Sequence, residues 1–224
     1  MLPIIFQLLY VRYVSYNVEK AIFGQFILIL TTANLISQLF FTMPNQSLQR
    51  FFNESQNNEL FTSEFVSINF ILNTVILCVF ISYSYMKPDY SKTILSLSFL
   101  YVVFLSFFNM FKTILLLQLE RKCLLFNTVI EAITKYIYPI LFYLYYKSLL
   151  SLVIGIVIGY LLNFLIIATS VNIKYLFLFS FQNIKKYIKF SYPMLLTALA
   201  SWSISFSDRY FININLKLIY EIAR

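Results

Sequence analysis

Glu131 and Lys135 stand four residues apart inside a stretch otherwise rich in Ile, Phe, Leu and Tyr, and Lys112 interrupts another run of the same kind. A charge at the centre of a bilayer costs about 3 kcal/mol or more, so such residues face a bundle interior or a water-filled path. Two kinds of chemistry suit them. Lysines attract anionic groups such as phosphate, and a carboxylate in such a path can take up and release a proton or an ion. The plainer reading is structural: Glu131 precedes Lys135 by about one helical turn, the favourable order for a self-neutralising pair. Asp208 and Arg209 form a second charged pair, near the end of the apolar segment Phe190–Asn213. Asp208 lies about 27 Å along a helix from Phe190, which puts it at the outer boundary rather than the midplane. A helix-end salt link, or an Arg reaching for headgroups, is the plain alternative there.

These charges sit on polar stripes. Residues three and four apart share a helix face. Asn127, Glu131, Lys135 and Tyr138 fall on one such face, and Thr197, Ser201, Ser205 and Asp208 on another. Thr31, Asn34 and Gln38 make a third, Asn69 and Asn73 a fourth, and Ser106, Asn109 and Thr113, with Lys112 beside them, a fifth. Each stripe alone reads as helix-to-helix hydrogen bonding, worth about 0.6 to 2 kcal/mol per contact. Their recurrence, with full charges on three of them, points instead to a shared hydrophilic cavity. The tyrosines gather at segment ends, as in an interfacial aromatic belt. Stacking on sugar rings is their alternative use.

The elements that must position these residues are membrane helices. The chain is 60% hydrophobic and 12% charged, half the charge of an ordinary soluble domain, which carries about 25%. Its apolar residues come in long runs rather than alternating, which argues for helices and against a barrel. The expected fold is all-α and integral to the membrane, a polytopic bundle of six to seven helices. Seven segments stand out: Leu2–Tyr10, Ala21–Met43, Phe65–Met86, Thr93–Leu117, Leu124–Tyr146, Leu149–Val171 and Phe190–Asn213. The first, about 10 residues, is half the length needed to cross a bilayer, so the chain is expected to begin inside it. The short connections predict consecutive, antiparallel neighbours. Residues 1–171 form a first bundle, 172–189 a basic cytoplasmic linker, and 190–224 a further helix. Gly155 and Gly159 form a GxxxG, a close-packing motif.

The net charge of +8 does not imply nucleic acid, because its Lys and Arg scatter to helix ends where lipid headgroups are met. Counted by alternating connections, Arg50, Arg121, Lys122, Lys174, Lys185, Lys186 and Lys189 oppose Arg12, Lys20, Lys87, Lys92 and Lys147. The bias places the first set, and the N-terminus, in the cytoplasm. The chain has no His, which removes His-dependent hydrolases and HExxH metalloproteases. Cys78 and Cys123 have no metal-site spacing. No enzyme, cofactor or metal is expected.

One constellation is more specific. IKKYIKFSYPMLLTALASWSISFSDRYFI, Ile184 to Ile212, resembles the oligosaccharide flippases of bacterial polysaccharide biosynthesis, the Wzx type within the MATE-like exporter superfamily. The shared pattern is a basic linker (Lys185, Lys186), then Pro193, Leu195, Leu196, Ser201, Trp202 and Asp208-Arg209-Tyr210. LQRFFNE, Leu48 to Glu54, and the turn Glu120-Arg121-Lys122 resemble it too. Tyr13 to Gly24 matches the family pattern only loosely. The resemblance covers the first of the family's two pseudo-symmetric bundles and the opening of the second. It therefore implies a missing C-terminal half as partner.

The resemblance implies transport in a bacterial cytoplasmic membrane, of the kind used in O-antigen or lipopolysaccharide assembly. A lipid-linked oligosaccharide would enter a cationic cavity open to the cytoplasm, and the bundles would rock to expose it on the other face. Joined with the stripes, this makes Arg50, Lys112, Asn127 and Lys135 candidate substrate contacts. Glu131, Asp208 and Arg209 become candidates for coupling or gating. An exporter of drugs or metabolites on the same fold, and a truncated remnant that transports nothing, are the alternatives.

Overall fold

The computed structural model describes the backbone of residues 2–55, 57–86, 91–171 and 181–222, and the side chains of 4–14, 16–55, 57–85, 91–171 and 183–207. Among these the chain is helical with no strand. Seven helices follow in order: α1 (Leu2–Asn17), α2 (Lys20–Phe51), α3 (Asn58–Met86), α4 (Lys92–Leu117), α5 (Arg121–Tyr146), α6 (Leu149–Ser170) and α7 (Phe181–Ile222). Five of them, α2 to α6, are long and apolar enough to cross a membrane. Helix is what the bilayer demands, since every backbone donor and acceptor must be satisfied within the segment. The fold is an all-α polytopic membrane bundle.

Several helices outrun the expected segments. Pro44 does not end α2, which continues another two turns to Phe51. Proline removes one backbone bond and often kinks or breaks a helix in water, but a membrane setting favours keeping the remaining bonds inside the helix. α7 likewise begins at Phe181, so the later part of the basic 172–189 stretch is helix. Residues 172–180 lie outside the described residues. α1 is longer than expected at 16 residues; at about 24 Å it still falls short of a hydrocarbon core of about 30 Å.

α4 and α6 form the centre. Val102, Phe108, Met110, Ile114 and Leu115 of α4 and Leu152, Val153, Ile156 and Ile167 of α6 are almost fully buried. Phe164 lies among Phe104, Phe107 and Phe111, with ring centroids 5.7 to 5.9 Å apart. α4 packs on α2, α3 and α6, while α5 packs on α6 and α1. The helical pairs α3–α4 and α5–α6 form as the short connections predict. Two expected neighbours do not: α1 packs on α5 rather than α2, and α7 lies along α2 rather than α6. The nine residues 172–180 can reach about 30 Å, which frees α7 from its predecessor.

The α5–α6 seam brings two backbones into close contact. A Cβ on Gly155 would lie 2.7 Å from the Pro139 Cα, and one on Gly159 would lie 2.9 Å from the Thr134 carbonyl oxygen. The GxxxG thus packs α6 backbone against α5 backbone within one chain. α5 ends with Lys147 in the left-handed region, φ 43°, and Ser148 and Ser151 form a reciprocal capping box that starts α6.

Candidate functional site

Running α2 through Pro44 has a geometric result. Thr42, Asn45, Gln46 and Gln49 recur at i, i+3, i+4 and i+7, one helical face. That face meets Asn109, Lys112 and Thr113 of α4, and between them lies an open cleft of about 460 Å³ also lined by Leu116 and Leu124. It sits at the end of the bundle that carries the α2–α3 and α4–α5 connections. Its size suits a small polar ligand or headgroup, in the common range of roughly 300 to 1,000 Å³. Lys112 supplies its charge among the described lining residues.

The Lys112 ammonium donates to Glu131 Oε2 at 2.7 Å and lies 5.6 Å from the centre of the Phe108 ring. Both charged side chains are partly shielded, at 33% and 21% exposure. The expected partner of Glu131 was Lys135. The structure instead joins Glu131 to Lys112 across helices, because Lys112, five residues before the α4 end, extends toward α5. Lys135 lies a turn further along α5; its ammonium is 5.5 Å from the Tyr136 ring, and it has no ion pair among the described residues. Asn127 is buried and donates to the Cys123 carbonyl at 2.9 Å. It is packed within α5 rather than presented to the cleft.

Arg50 is not brought to the cleft. It is exposed and pairs with Glu54 at 3.1 Å, and Lys186 of α7 approaches the same carboxylate at 3.5 Å. Lys186 also lies 4.2 Å from the centre of the Phe51 ring. Asp208 and Arg209 belong to α7, and their side chains lie outside the described residues.

The polar stripes divide into two kinds. Asn73 donates to Asn69 Oδ1 at 2.7 Å and to Ser106 Oγ at 3.0 Å, all three buried. This is bonding between α3 and α4. Thr31 bonds back to the Ile27 carbonyl, and its own carbonyl accepts from Trp202 Nε1 at 3.3 Å, joining α2 to α7. Among the described residues, the Asn109–Thr113 stripe opens on the cleft, opposite Thr42, Asn45, Gln46 and Gln49. Thr197, Ser201 and Ser205 are exposed.

Glu64, which precedes the apolar segment Phe65–Met86 in the sequence, belongs to a second polar cluster. It is buried at the start of α3, where it accepts from Asn183 Nδ2 at 3.3 Å and from the Tyr187 hydroxyl at 3.2 Å. Ser47 of α2 donates to the Tyr187 carbonyl at 3.1 Å. Burial first, and the Glu64 carboxylate second, raise the Tyr187 hydroxyl above its ordinary range.

A family model described as polysaccharide biosynthesis protein matches residues 22–217 of the chain. No curated protein matches it. No solved structure does so either.

Proposed function

The chain belongs to the polysaccharide biosynthesis protein family, and from that membership we propose that it takes part in moving a lipid-linked oligosaccharide across the cytoplasmic membrane by alternating access. The observation that supports this is the cleft: an open groove with Lys112 and several amide side chains in its wall, set at one end of the bundle. Its place at the end with more Lys and Arg makes that end cytoplasmic under the charge rule. A phosphate-bearing headgroup would meet Lys112, while the lipid tail stays along the apolar helix surface. Sugar hydroxyls find partners in Asn45, Gln46, Gln49 and Asn109. The protein acts by binding and by conformational exchange, without a covalent step. Residues 208–209, in the second half of α7, serve the outer gate in this reading.

The test is carried out in the native host. Loss of the gene, and separately Lys112→Gln, should each deplete surface polysaccharide and leave lipid-linked oligosaccharide on the inner leaflet. Normal surface polysaccharide in both strains would refute the proposal.

A further inference from the structure

Glu131 lies between two lysines. It holds Lys112 at 2.7 Å, and it precedes Lys135 by four residues, within reach of one helical turn. Lys112 therefore lines the cleft with its charge already matched, whereas Lys135, which does not line it, carries an ammonium with no ion pair among the described residues. An anion entering the cleft would have to compete with a carboxylate for the only charged group described there. The same carboxylate has a second cation one turn away.

We propose that Glu131 is a two-position counter-ion. In the empty cleft it occupies Lys112; when an anionic ligand reaches Lys112, Glu131 turns to Lys135. With the ligand bound, the exchange sets each of the two lysines opposite an anion, in a place where an unmatched charge is costly. It makes Lys135 a positioning residue: it strengthens ligand binding without touching the ligand, by receiving the displaced carboxylate. This inference rests on the reading of the cleft as an anion site and assigns Glu131 and Lys135 their parts in it.

The experiment is a set of binding measurements on the full chain in detergent, with inorganic pyrophosphate as the probe, read by calorimetry. Glu131→Gln should bind about tenfold tighter than the wild type, since a charge-assisted hydrogen bond no longer competes. Lys135→Gln should bind several-fold more weakly. In the Glu131→Gln background, Lys135→Gln should change nothing, because there is no carboxylate left to receive; that non-additivity separates a relay from a direct contact. Glu131→Asp, too short to keep the 2.7 Å contact, provides a second variant should the Gln form fold poorly, and it should also tighten binding. Equal affinity in Glu131→Gln, Glu131→Asp and wild type would overturn the counter-ion role while leaving the cleft as an anion site. An additive effect of Lys135→Gln in the double variant would overturn the relay. Wild-type affinity in Lys112→Gln, or no binding by wild type and Glu131→Gln alike, would overturn the anion site itself.

Discussion

The hydroxyl of Tyr187 on α7 donates to the buried carboxylate of Glu64 on α3 at 3.2 Å, joining positions 123 residues apart. With Asn183 on the same carboxylate and Ser47 on the Tyr187 carbonyl, it ties α7 to both α2 and α3. Tyr187→Phe leaves a buried acceptor short of one partner, at a cost of about 1 to 3 kcal/mol. Thermal unfolding in detergent should show that loss, and Glu64→Gln, which still accepts, should show less. The pH sign follows from the raised tyrosine value. Folding favours the protonated form, so the bond's contribution is complete below the ordinary value of 10.0. It is lost as pH rises further, through the folded-state value.

Adding a methyl group to the α5–α6 seam should be costly. Gly155→Ala meets the Pro139 backbone and Gly159→Ala the Thr134 carbonyl, and overpacking of this kind costs about 1 to 3 kcal/mol. Gly24→Ala is the control: nothing lies within 4 Å of its Cβ position. It should hold or gain stability, up to about 1 kcal/mol from helix propensity. Unfolding temperatures of the three variants, measured side by side, check the contrast.

Two buried asparagines should behave in opposite ways. Asn73 donates to both Asn69 and Ser106, so Asn73→Leu removes the shared donor between α3 and α4, leaves Asn69 Oδ1 only the 3.3 Å contact from Ser106, and should destabilise by about 1 to 3 kcal/mol. Asn163 donates to Thr134 at 2.6 Å, but its own Oδ1 is buried with no partner. Thr134 retains its bond to the Ile130 carbonyl without it. Asn163→Leu should therefore be near neutral, and equal losses in the two variants would contradict this account.

Orientation is open to a direct check. Reporter fusions at Asn57 and Asn183 should both report a cytoplasmic location, as the Lys and Arg bias requires. An external signal at either position would reverse the cleft's entrance and with it the direction of the proposed transport.

The helices were legible because apolar runs of about 20 residues leave little choice of structure. The cleft was half legible. Asn109, Lys112 and Thr113 were visible as one face of α4, but its opposite wall was hidden by Pro44. Read as a stop, Pro44 assigns Asn45 to Gln49 to a loop; read through, the spacing of 42, 45, 46 and 49 continues the stripe begun at Thr31, Asn34 and Gln38. Partner choice was not legible at all. Sequence spacing offers Glu131 only Lys135, and the approach of α4 that substitutes Lys112 is a tertiary fact. Glu64 escaped for the same reason: its burial is created by α7, more than a hundred residues later.

The glycine seam also governs the mechanics of the bundle. Where two backbones touch, there are no long side chains to repack, so neither helix slides without rupturing the contact; α5 and α6 move as one stiff plate. The described links from α7 to the rest are its side-chain packing along α2, hydrogen bonds, aromatic contacts and the Lys186–Glu54 ion pair, which side-chain rotation can release. Compliance in this molecule is therefore unevenly distributed, and a rocking motion would strain the α7 attachment long before it flexed the plate.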